Sequence, residues 1–190
     1  NSVISLILHV TIFKQADGMT IGPVALLISS LLMGIFIIRY FRKHSQSTGL
    51  TLRMAPAKLL PDLALGLGFA CVLLAAVYPY LYQVKWMNLP LDQWKWTLFV
   101  VALVVAPVWE EVFFRGFLHT SILRVVPTPL TAAFMSAMVF ALMHPPVSIP
   151  AAFLLGLISA WLIGKRKTLF PSIVLHVAYN VGVLTLSMWL

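Results

Sequence analysis

Apolar runs fall at about 1 to 13, 20 to 41, 61 to 82, 96 to 124, 129 to 144, 147 to 164 and 169 to 190, parted by short polar links. Roughly 20 apolar residues in a helix cross the hydrocarbon core of a bilayer. Such runs leave little freedom: in hydrocarbon a helix satisfies its own backbone, so the chain reads as an all-α, polytopic membrane protein. Composition agrees, because 61% of its 190 residues are hydrophobic and 9% are charged, where a soluble domain has about a quarter charged. The count is seven spans. They form a single membrane domain over residues 1–190, with no room for a separate soluble one. Neither repeats, low-complexity tracts nor a cleavable signal peptide stand out. The chain starts at Asn1 without an initiator Met, which reads as a missing natural N-terminus.

The net charge of +8 does not point to nucleic acid, since the basic residues sit in short clusters between apolar runs. If the spans alternate in direction, one side of the membrane receives Arg39, Arg42, Lys43, Arg53, Lys58, Arg124, Lys165, Arg166 and Lys167. The other receives Lys14, Lys85 and Lys95. That asymmetry puts the Lys165-Arg166-Lys167 side in the cytoplasm. Trp86, Trp94 and Trp96 then form an aromatic belt at the outer interface. The single cysteine, Cys71, lies in an apolar run and reads as a small buried side chain, so no intrachain disulfide can form.

Two of only five acidic residues stand together in Val-Ala-Pro-Val-Trp-Glu110-Glu111-Val-Phe-Phe-Arg115. Unpaired charge at such a place costs several kcal/mol, so compensation is expected. At about 100° per residue, Glu111 and Arg115 share a helix face and can pair as i and i+4, whereas Glu110 points elsewhere and needs partners from other helices. Pro107 can kink this helix and free a backbone carbonyl.

Two later runs supply candidates. His144 closes Phe140-Ala-Leu-Met-His144, and His176 opens His176-Val-Ala-Tyr-Asn180. At 1.5 Å per residue, His144 lies about 24 Å and Glu110 about 21 Å from the cytoplasmic end. His176 is only about 14 Å from Lys167 on the same count, so the last helix must tilt or its basic end must protrude. Ionisable residues inside membranes usually face one another or a wet cavity. Glu110, Glu111, Arg115, His144, His176 and Asn180 are therefore expected to converge, while His9, His44 and His119 read as background.

A carboxylate withdrawn from water becomes a useful general base near neutral pH, especially beside an imidazole that holds the same water. Glu110 with His144 can activate water against a peptide carbonyl, and His176 and Asn180, one turn apart, can donate to the oxyanion. The same residues leave other chemistries open. Glu110, His144 and His176 can make a zinc site with an open position, although no His-Glu-x-x-His pair lies on one helix. Ser136 and Ser172, upstream of the histidines, are alternative nucleophiles without the Gly-rich setting of a nucleophile elbow. A non-catalytic membrane scaffold or regulator, or a small proton-relaying transporter, is the reading from a different class.

Glu-Glu-Val-Phe-Phe-Arg at 110–115, Phe-x-x-x-His at 140–144 and His-x-x-x-Asn at 176–180 resemble, in order and rough spacing, the motifs of the CAAX protease and bacteriocin-processing (CPBP, or Abi) family of intramembrane proteases. The resemblance covers about residues 100–190. It implies an eight-helix or similar all-α membrane fold with a conical cavity open to cytoplasm and lipid. It also implies Glu110 as catalytic base, His144 as its water-holding partner, His176 and Asn180 as oxyanion stabilisers, and Glu111 with Arg115 as support. Metal-independent glutamate chemistry, with no cofactor, follows from the resemblance, with zinc as the alternative. The expected partners are membrane lipid and a protein or peptide substrate, lipidated or anchored at its C-terminus, and not nucleic acid. A prokaryotic inner membrane is the expected location. Pro145 and Pro146 directly after His144 depart from a regular helix and put that histidine at a helix C-terminus.

Overall fold

The structure, a computed structural model, describes residues 56–83 and 99–189, together with helical positions 32, 35, 36 and 39. The described residues are helical and contain no β-strand. Helix α1 is Pro56–Gln83, α2 runs over residues 99–122, α3 is Pro129–Leu142, α4 is Ile149–Arg166 and α5 is Phe170–Trp189. Among the described residues, three stretches, Pro56–Gln83, Pro146–Arg166 and Phe170–Ser187, are long and apolar enough to cross a membrane. The expected runs at 1 to 13 and 20 to 41, apart from those four positions, lie outside the described residues. So do Lys14, Lys85, Lys95, Trp86, Trp94 and Trp96.

Helix α1 buries one stripe, Asp62, Gly66, Ala70, Leu73, Val77 and Leu81, at helical spacing. Neighbouring Cys71 turns out exposed, contrary to the buried position expected from its apolar surroundings. A residue next to the inward stripe is rotated about 100° away from it. Small residues set how closely the helices approach. A Cβ on Gly66 would lie 2.7 Å from the carbonyl oxygen of Pro171, at the start of α5. On α4, a Cβ at Gly156 would come within 2.9 Å of Ala137 on α3. Close backbone contact of this kind is how membrane helices gain packing energy without a hydrophobic drive between them. Outward-facing Leu60, Val125 and Leu130 are more than 70% exposed, and an apolar exterior suits lipid.

Local signals explain the helix ends. Thr128, in extended conformation, caps α3 by accepting from the backbone N–H of Thr131 at 3.1 Å, with Pro129 at the first helical position. The same helix stops at Leu142, two residues short of the apolar run, because Pro145 forbids the helical conformation upstream. Helix α4 ends at Lys167, whose φ of 58° is left-handed and whose N–H bonds to Ile163 O at 2.9 Å. The turn is fixed further by Arg166, which pairs with buried Asp62 of α1. Arg166 is thus more than a loop charge.

Pro107 acts through register. Helix α2 is π-helical over Val101–Val105, α-helical over Ala106–Glu110 and π-helical again over Glu111–His119. The N–H of Ala106 goes to Val101 O, five residues back. In that register the carbonyl of Ala102 would look to residue 107, which is proline and has no N–H. Asn180 of α5 fills the gap by donating Nδ2–H to Ala102 O at 3.1 Å. The freed carbonyl expected from the sequence is therefore real, and its partner is a residue of the third motif.

Candidate active site

Glu110 and Glu111 stand where α2 passes from α-helical to π-helical winding. Glu111 is fully buried and faces Arg115, with Oε2 3.6 Å from Nε. At that length the pair is held by charge more than by a hydrogen bond. Arg115 is buried too, its guanidinium carbon 4.6 Å from the centroid of the Phe140 ring, a cation–π geometry. None of its nitrogens has a hydrogen-bond partner among the described residues.

Glu110 points away from Arg115, as the helical wheel requires, and reaches α3 and α5. Its Oε2 lies 3.6 Å from His176 Nε2 and 3.9 Å from His144 Nε2. Those separations exceed a direct hydrogen bond, but a water about 2.8 Å from Glu110 can also touch either imidazole. The convergence expected for these three residues is present, including the His176 contact that the depth count left strained.

The other ring nitrogens fix the tautomers. His144 Nδ1 lies 2.8 Å from the carbonyl oxygen of Phe140, which can only accept, so Nδ1 donates. This contact gives Phe-x-x-x-His a physical meaning: the histidine follows the last turn of α3, and the carbonyl four residues back orients its ring. His176 Nδ1 lies 3.2 Å from Glu111 Oε1 and donates to it in the same way. Both Nε2 atoms are thereby turned toward Glu110. The Phe140 ring packs against His144 at 4.5 Å and His176 at 5.7 Å between centroids, so one side chain positions both imidazoles and Arg115.

Asn180 is placed one turn after His176, with an N–H committed to Ala102 O and the second hydrogen of that amide left for the cavity. A cavity of about 60 Å³ is lined by His144, His176, Tyr179 and Asn180 together with Ala151 and Ala152, among others. It is large enough for a few waters.

Sequence reasoning missed several partners. His119, set aside as background, is buried with Nδ1 3.3 Å from Ser136 Oγ. Ser136 also donates to Ala133 O and Ser172 to Leu169 O, so both candidate nucleophiles serve helix packing. Tyr80 of α1 donates to Val147 O at 2.9 Å and holds the link that follows His144. Asp62, one of the five acidic residues, was the available signal for the Arg166 contact. For a metal, no group of three or more His, Cys, Asp or Glu side chains among the described residues has a geometry that would hold one.

Residues 92–182 match the family described as type II CAAX prenyl endopeptidase Rce1-like. Over this stretch the chain is similar to the Rce1-like family. The match contains all three motifs and agrees with the CPBP resemblance. The Rce1-like region ends two residues beyond Asn180 and so takes in every candidate site residue. It makes the chain CAAX protease-like, and its apolar helices are those of a membrane protein. No curated protein and no solved structure matches the chain.

Proposed function

We propose that the protein is an intramembrane endopeptidase that cleaves a peptide bond near the C-terminus, or in the juxtamembrane part, of a protein or peptide substrate. The observation that carries this reading is Glu110 Oε2 at 3.6 and 3.9 Å from two imidazole nitrogens whose far sides are already anchored. A water there donates one hydrogen to the Glu110 carboxylate and the other to His144 Nε2, which leaves its lone pair for the substrate carbonyl. As the C–O bond forms, Glu110 takes the proton and the carbonyl π electrons move to oxygen. Collapse of that intermediate breaks the C–N bond, and Glu110 returns the proton to the leaving amine.

His176 can donate to the oxyanion only as imidazolium, because its Nδ1–H is given to Glu111. Asn180 offers its remaining N–H. Glu111 and Arg115 act as support, fixing the His176 ring rather than touching substrate. The mechanism needs no cofactor. A zinc-dependent version of the protease, in which Glu110, His144 and His176 would hold the metal, is the rival chemistry.

Membrane lipid surrounds the enzyme, and its substrate is lipidated or carries a C-terminal anchor. The basic end of α4 faces the cytoplasm of a prokaryotic inner membrane. The test is cleavage of C-terminally anchored and prenylated peptides by the purified protein in liposomes, with and without a chelator. Products that persist in chelator are expected. Loss of cleavage on chelation, restored by zinc, would replace the glutamate chemistry, and no cleavage of any anchored peptide would favour a scaffold.

A further inference from the structure

Tyr179 stands between the two polar residues of the third motif, yet no motif position claims it. Its ring is buried, 7% exposed, and belongs to the main apolar cluster with Phe140, Leu155 and Val183. Its hydroxyl is buried as well and has no hydrogen-bond partner among the described residues. A buried hydroxyl left unpaired is costly, and Tyr and Trp normally find a partner for their polar end. The same side chain lines the cavity that His144 and His176 also line.

The neighbouring amide makes this more telling. Asn180, the expected second oxyanion donor, already gives an Nδ2–H to Ala102 O to mend the backbone gap left by Pro107. That leaves Asn180 a single N–H for the cavity, and a phenol beside it is a further donor that needs no change of protonation. We infer that the Tyr179 hydroxyl binds the substrate at the reacting carbonyl and donates to the oxyanion beside His176. This rests on the protease reading above. No proton changes hands: when water oxygen bonds to the carbonyl carbon, the π electrons move to oxygen, and Tyr179 O–H hydrogen-bonds to that oxygen until it re-forms the carbonyl and the amine leaves.

The experiment compares the full-length wild type, Tyr179→Phe and Glu110→Gln in liposomes, measuring kcat, KM and melting midpoint with an anchored peptide that the wild type cleaves. Losing one oxyanion donor lowers kcat by about 100- to 1,000-fold. The expected result for Tyr179→Phe is that fall in kcat, with KM changed less than about twofold and the midpoint unchanged, since the interaction exists only in the transition state. An unchanged kcat overturns the inference, and so does a raised KM with kcat intact. A fall in kcat accompanied by a lower midpoint also overturns it, because the hydroxyl then serves the fold. If the wild type cleaves no anchored peptide, or Glu110→Gln stays active, the glutamate-protease reading fails and the role of Tyr179 falls with it. If Glu110→Gln is inactive while Tyr179→Phe is fully active, only the role of Tyr179 is lost.

Discussion

Arg115 and Glu111 are each fully buried, so neither can be removed alone without stranding the other's charge. Arg115→Met is expected to cost about 3–5 kcal/mol, seen as a lower melting midpoint in detergent. The double variant Glu111→Gln/Arg115→Met should recover much of that loss, because two stranded charges vanish together. It should not recover activity, since the His176 ring loses the carboxylate that orients it.

Among elements, the coupling of α2 to α5 through Ala102 and Asn180 is the most testable. Pro107→Ala would give residue 107 the N–H that the π register asks for. Asn180→Ala should then be milder in the Pro107→Ala background than alone, with a coupling of about 0.5–3 kcal/mol in a double-mutant cycle. Additive effects would mean that Asn180 does not relieve the proline. Glycines offer a cleaner contrast on α1. Gly66→Ala must displace the Pro171 carbonyl, 2.7 Å from the new Cβ, whereas Gly68 has open space around it. Overpacking of this kind costs about 1–3 kcal/mol, so Gly66→Ala should lower the melting midpoint and Gly68→Ala should not.

For the whole molecule, hydropathy located the described helices to within a few residues, because length and apolarity alone decide what a bilayer accepts. The site residues could be singled out for a similar reason. Ionisable groups are rare enough in such runs that Glu110, His144 and His176 drew attention before any partner was known. What hydropathy could not read is rotation of one helix about its axis relative to the next. Ser136 therefore went unconnected to His119, and Arg166 to Asp62, although each pair is plain in space. The π register was hidden as well. Pro107 signalled a freed carbonyl, but which one depends on hydrogen bonds that the residue types do not encode. Orientation in the membrane is a prediction at this scale. A single cysteine at Lys167, placed in a Cys71→Ser background, should react with an impermeant thiol reagent in inverted vesicles and not in intact spheroplasts. Labelling in spheroplasts would reverse the topology.

All of this turns on one oxygen atom of Glu110. Glu110→Gln keeps the size and shape of the side chain and removes its ability to take a proton, so the direct measurement is kcat of that variant in liposomes beside its melting midpoint. The account predicts turnover reduced by at least about a thousandfold, more than the about 10²–10⁴ of general-base catalysis at its lower end, with an unchanged midpoint. Turnover within about tenfold of wild type would contradict it.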